Sequence, residues 1–119
     1  VFLATRSGDC DDFSTLAAAV LRHYGYTPRL ISVRMPGVTH VICYIEETNS
    51  YLDYNNRSAG NFLVPCGNSL PEMAESVARS YRLKWTSASE FTFEKRQKRL
   101  VKTIFEPRRE SKFFASLFR

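Results

Sequence analysis

Residues 8–26 read GDCDDFSTLAAAVLRHYGY, and the reading of this stretch decides how the remainder of the chain is placed. From 11 to 24, apolar side chains fall at Phe13, Leu16, Ala17, Val20, Leu21 and Tyr24. Intervals of three and four return to one side of a helix every turn, so the pattern predicts a helix that buries this face. Gly25 comes next, where a residue without a Cβ can take the left-handed backbone that ends a helix. Asp11 and Asp12 then fall in the first turn, where carboxylates suit the positive end of the helix dipole. The same boundary puts Cys10 at the helix N-terminus.

That placement bears on chemistry, because the thiolate and not the thiol is the useful nucleophile. Unpaired N–H groups at a helix start lower a thiol's pKa. Three neighbouring acids, Asp9, Asp11 and Asp12, oppose the effect, so a thiolate at neutral pH also requires an imidazolium close by. The chain has two histidines. His23 falls in the last helical turn, as a surface cation on the negative end of the dipole. His40 can supply the imidazolium if the second strand packs against the start of the helix.

Moving outward, residues 28–35, PRLISVRM, alternate Ile31, Val33 and Met35 with Leu30, Ser32 and Arg34, which predicts a half-buried strand ending at the Pro36-Gly37 turn. A second strand is expected over 39–46 and a third over 51–55, joined through 47–50. On the second, His40, Ile42 and Tyr44 share one face, and Val41, Cys43 and Ile45 share the other. Asp53 on the third strand reaches the His40 face when paired residue numbers sum to an odd value. A turn closing Glu46 onto Tyr51 meets that parity, yet it sets His40 opposite Arg57. A shorter loop or a bulge is then needed to bring Asp53 to His40.

Further along, Ser69 and Glu72 have the spacing of a capping box, and Leu70, Met73, Ala74, Val77, Ala78 and Tyr81 mark one face of a second helix. Residues 84–93 are compatible with a strand or an extended cover over the core. A helix followed by an antiparallel sheet gives an α+β order. The net charge of +5 is unevenly spread: residues 1–93 carry eight Lys or Arg against nine Asp or Glu, and 94–119 carry nine against three. A catalytic-type domain over 1–93 with a basic, aromatic-containing extension over 94–119 is the organisation this implies, the extension being solvated.

At 119 residues with 44% apolar content, one domain with a real core is expected. No apolar run approaches the roughly 20 residues that span a bilayer, and the first residues lack a secretory pattern, so a soluble protein is expected. A start at Val1 rather than Met points to a trimmed or processed piece. The odd count of Cys10, Cys43 and Cys66 excludes a complete disulfide framework and points to a reducing compartment. Cys43 is expected in the core and Cys66 in a loop. No closely spaced Cys pair and no glycine-rich phosphate loop is present, so no metal and no cofactor is expected.

The run Gly8-Asp9-Cys10-Asp11-Asp12-Phe13-Ser14, continuing through Leu16 to Arg22 and Gly25-Tyr26, then His40-Val41 and Leu52-Asp53 on successive strands, resembles the transglutaminase-like superfamily of papain-like enzymes. The likeness covers about half of the chain. It implies a papain-like fold with the nucleophile at a helix N-terminus packed on an antiparallel sheet. It further implies that Cys10 attacks an acyl carbon, His40 shuttles the proton and Asp53 holds the His40 tautomer and cation. Members of this superfamily cleave peptides, transfer acyl groups between amides and amines, or remove glycans from asparagine, all through a thioester. The Cys10 N–H is expected as one oxyanion donor, with the second upstream at Thr5, Arg6 or Ser7.

The function expected is therefore that of a cysteine-dependent hydrolase or acyltransferase on a peptide or protein substrate, with hydrolysis first because water is always at hand. The alternatives are a catalytically silent member of the same fold acting as a binding or scaffolding module, and an anionic membrane surface or nucleic acid bound by the basic extension, which is not favoured.

Overall fold

A short polar turn, a long helix and a hairpin set the frame, and each has a local cause. The computed structural model describes residues 6–53, 63–94 and 97–106. Helix α1 spans Arg6–His23. It stops at Gly25, whose φ of 89° lets its N–H reach the Arg22 carbonyl while the Tyr26 N–H reaches that of Leu21. This paired closure satisfies carbonyls that the helix end would otherwise leave unbonded.

Strand β1 (Pro28–Met35) then turns at Pro36-Gly37 into β2 (Val38–Ile45), with Met35 paired to Val38 and Gly37 at a φ of 78°. A one-turn 3-10 helix, Glu46–Thr48, and a left-handed Asn49 close β2 onto β3 (Ser50–Leu52). The Glu47 carboxylate accepts from the Thr27 N–H and hydroxyl at 2.9 and 2.7 Å, fixing this turn against the entry to β1. Strand β4 (Leu63–Pro65) pairs with β3.

Helix α2 (Leu70–Tyr81) opens as its sequence predicts. The Ser69 hydroxyl oxygen accepts from the Glu72 N–H at 3.3 Å, and its proton goes to the Glu72 carboxylate at 2.8 Å. Strand β5 (Ser87–Glu94) settles the open reading of 84–93 as a strand. Strand β6 (Gln97–Phe105) pairs with it along its length, so the first part of the basic extension belongs to the sheet. The remainder of that extension, residues 107–119, lies outside the described residues.

The fold is α+β, with six antiparallel strands in the order β4-β3-β2-β1-β5-β6 and a helix on each face. On one face Ile31, Val33, Met35, Ile42, Tyr44 and Tyr51 pack with Met73, Ala74 and Val77 of α2 and with Trp85. On the other, Leu30, Val41, Cys43 and Phe91 pack with Cys10 and Ala18 of α1. Alternation along β2 thus sends His40, Ile42 and Tyr44 towards α2 and Val41 and Cys43 towards α1.

Of the apolar residues that the spacing predicts on the buried face of α1, Phe13, Ala17 and Leu21 are half-buried, and Ala17 and Leu21 pack against the core. Cys10, Ser14 and Ala18, four residues apart, are the buried ones, whereas Leu16, Val20 and Tyr24 are 66%, 48% and 72% exposed. On the fully buried side, Ser14 and Cys10 are hydrogen-bonded to Val41 of β2. Among the described residues no helix is long and apolar enough to cross a membrane.

Candidate active site

Cys10, His40 and Asp53 come from three different elements and meet in one buried place, each 2% exposed or less. The register of β2 with β3 explains how Asp53 arrives. Ile45 pairs with Ser50, Tyr44 with Tyr51 and Cys43 with Leu52. The four-residue connection, 46–49, falls one residue earlier than the 47–50 connection of a turn closing Glu46 onto Tyr51, so each β2 residue pairs two positions earlier in the following strand than that turn implies. Asp53, the first residue past β3, is then a diagonal neighbour of His40 on the same face. The His40 Nε2–H donates to Asp53 Oδ1 at 2.8 Å. The outer part of the expected third strand, beyond Asp53, lies outside the described residues.

With Nε2 on Asp53, the ring nitrogen left for the Cys10 sulfur, with which His40 is hydrogen-bonded, is Nδ1. Burial acts to lower the His40 pKa and is the largest single influence. The hydrogen bonds to Asp53 and Cys10, with the charges of both, together outweigh it and hold His40 at about 9. The imidazole is therefore a cation at neutral pH, fixed between a carboxylate and a sulfur. The Tyr81 ring at the end of α2 packs against His40, with centroids 5.2 Å apart at 55°.

Cys10 and His40 approach from opposite faces of the sheet, and they can do so because β3 is short. Its pairing with β2 involves only residues 43–45. Beside Val41 the edge of β2 is open to α1 instead, and Cys10 Sγ accepts from the Val41 N–H at 3.4 Å. One turn along, the Ser14 hydroxyl donates to the Val41 carbonyl at 3.1 Å. Sequence reasoning found the three central residues but not Ser14. Its only sequence signal is a hydroxyl one helical turn after Cys10 on the same face.

Two expectations about the surroundings of Cys10 are corrected. The helix begins at Arg6, so Cys10 is its fifth residue and lies in the second turn. Only the first four N–H groups of a helix lack an internal partner, so the Cys10 N–H points along the helix and is not the free oxyanion donor expected of it. Of the upstream candidates, Arg6 and Ser7 lie within α1, and Thr5 is outside the described residues. The dipole's influence falls off within the first turn, and the groups hydrogen-bonded to the sulfur include His40 and the Val41 N–H.

The other cysteines behave as spectators. Cys43 is fully buried beneath α1 and burial pushes its thiol up to about 12. Cys66 is partly buried, and its thiol is also raised, chiefly by burial. All three are free thiols. His23 is exposed at the end of α1, edge-on to Tyr24. Among the described residues no group of three or more His, Cys, Asp or Glu is placed to hold a metal ion. The arrangement is suited to nucleophilic chemistry at sulfur with a proton held and returned by His40. No family model, no curated protein and no solved structure matches the chain.

Proposed function

We propose that the protein is a cysteine-dependent hydrolase or acyltransferase of papain-like, transglutaminase-like architecture, acting on peptide or amide bonds through a thioester. The observation that carries this reading is the buried hydrogen-bonded line from Cys10 through His40 to Asp53, with the His40–Asp53 contact at 2.8 Å. In the step proposed, the Cys10 thiolate attacks the acyl carbon and the His40 cation passes its Nδ1 proton to the departing amine. Neutral His40 then takes a proton from water or an acceptor amine as that group attacks the thioester, and Cys10 leaves as thiolate. Asp53 keeps the Nε2 proton in place and stabilises the cation throughout. Hydrolysis is placed first because water needs no site of its own.

One observation favours a second reading, that of a catalytically silent module of the same architecture. Cys10 and His40 are each only 2% exposed, so an acyl group reaches the sulfur only if neighbouring groups shift. The two readings separate on incubation with an activated ester such as p-nitrophenyl acetate, followed by mass spectrometry of the intact chain. Catalysis is supported by an acetyl adduct on Cys10 that hydroxylamine removes and that is lost in Cys10→Ala and reduced in His40→Ala. No adduct on Cys10 in the folded protein leaves the silent module as the function.

A further inference from the structure

The main chain of Val41 is held by α1 at two points, and only one of them touches the sulfur. We propose that Ser14 is a positioning residue, whose hydrogen bond to the Val41 carbonyl sets the Cys10 sulfur against the Val41 N–H and beside His40. This rests on the reading of Cys10 as the nucleophile. A helical serine ordinarily turns its hydroxyl back to the carbonyl four residues earlier, which here is that of Cys10 itself. Ser14 instead reaches across 27 positions of sequence to β2, at 3.1 Å. It is fully buried, where a hydroxyl is costly unless bonded. Ala18, one turn later on the same buried face, shows what packing alone accepts there.

The geometry gives the bond its purpose. The N–H and C=O of one strand residue point the same way, and those of Val41 point to the side where β3 has ended. Among the described residues α1 supplies the partners of both, and a buried backbone group without a partner is costly. Cys10 and Ser14, one turn apart, take one each, and two fixed points define both the height and the rotation of the helix against β2. His40 is the residue next to Val41, so the same two points fix the distance from sulfur to imidazole. Without Ser14, the sulfur is tied to Val41 by a single N–H···S contact at 3.4 Å.

The test compares Ser14→Ala with Ser14→Thr, which keeps the hydroxyl, using the His40 titration by NMR and the rate of Cys10 alkylation at pH 7. Ser14→Ala is expected to lower the His40 midpoint, in the same direction as is expected of Cys10→Ala, which removes the contact itself. It is also expected to slow alkylation about tenfold. Ser14→Thr should recover both. A folded Ser14→Ala with the wild-type His40 midpoint and alkylation rate overturns the proposal. If Ser14→Ala does not fold, Ser14→Cys, similar in shape with a weaker donor, is read by the His40 titration alone. A lowered midpoint supports the proposal, and an unchanged one overturns it. Failure of the nucleophile reading is separate, for it shows as wild-type Cys10 reacting no faster than Cys10 in His40→Ala.

Discussion

The two helices face opposite sides of one sheet and are held there by different forces. Helix α2 buries Leu70, Met73, Ala74, Val77 and Ala78, all apolar, against β1, β2 and β5. Helix α1 buries Cys10, Ser14 and Ala18 and leaves Leu16, Val20 and Tyr24 largely outside. The α2 side is a core that any well-packed apolar set would satisfy. On the α1 side Cys10 accepts from the Val41 N–H and Ser14 donates to the Val41 carbonyl, while apolar area is left in water. The hydrogen bonds that run against the apolar pattern of α1 include that of Cys10, a residue of the proposed site, which is where such conflicts are expected.

This contrast can be broken most severely at Asp53. Asp53→Ala leaves the buried His40 cation without its carboxylate and is expected to destabilise the fold by about 3–5 kcal/mol, read by urea unfolding, while slowing Cys10 alkylation. Met73→Ala makes a cavity on the α2 side and is expected to cost about 3 kcal/mol with Cys10 reactivity unchanged in the folded protein. A change in Cys10 alkylation in Met73→Ala would mean that the two sides are not independent.

A third effect is expected from pH. Folding raises the His40 pKa from 6.5 to about 9, so the native state holds this proton more tightly than the unfolded chain. The stability it contributes is complete below about pH 6.5 and is lost as pH rises through about 9. Denaturation midpoints across that window should fall in the wild type and stay flatter in His40→Gln. The smallest effect is on the outer face of α1: Leu16→Ser is expected to change stability by less than about 0.5 kcal/mol. A larger loss would mean that this face is covered.

How much of this was legible in the sequence depended on whether the signal was local. Ser69 and Glu72 start α2, Gly25 ends α1 and Pro36-Gly37 turns the first hairpin, each through contacts within a few residues, and each is where it was expected. The order Cys10, His40, Asp53 and the alternation on β2 were enough to name the three residues that meet. The register that joins them was not, because it depends on how residues 46–49 fold and not on the strand pattern. Strand β6 was hidden because only Ile104 of its residues is even half-buried, which leaves no alternation to read. The buried face of α1 is legible only in part, for Ala17 and Leu21 pack against the core as the spacing predicts while Leu16, Val20 and Tyr24 are largely exposed. The apolar residues of the helix form a clear stripe, but the hydrogen bonds on its fully buried side belong to a thiol and a hydroxyl.

The central claim is that His40 activates Cys10, and the most direct measurement is the rate of Cys10 alkylation by iodoacetamide at neutral pH, resolved residue by residue by mass spectrometry. Cys66, partly exposed and without a histidine partner among its electrostatic neighbours, and Cys43, fully buried, serve as references in the same chain. The account expects Cys10 to react faster than both despite its burial, and to lose that advantage in His40→Ala. A Cys10 that reacts no faster than Cys66, with a rate unchanged in His40→Ala, would contradict it.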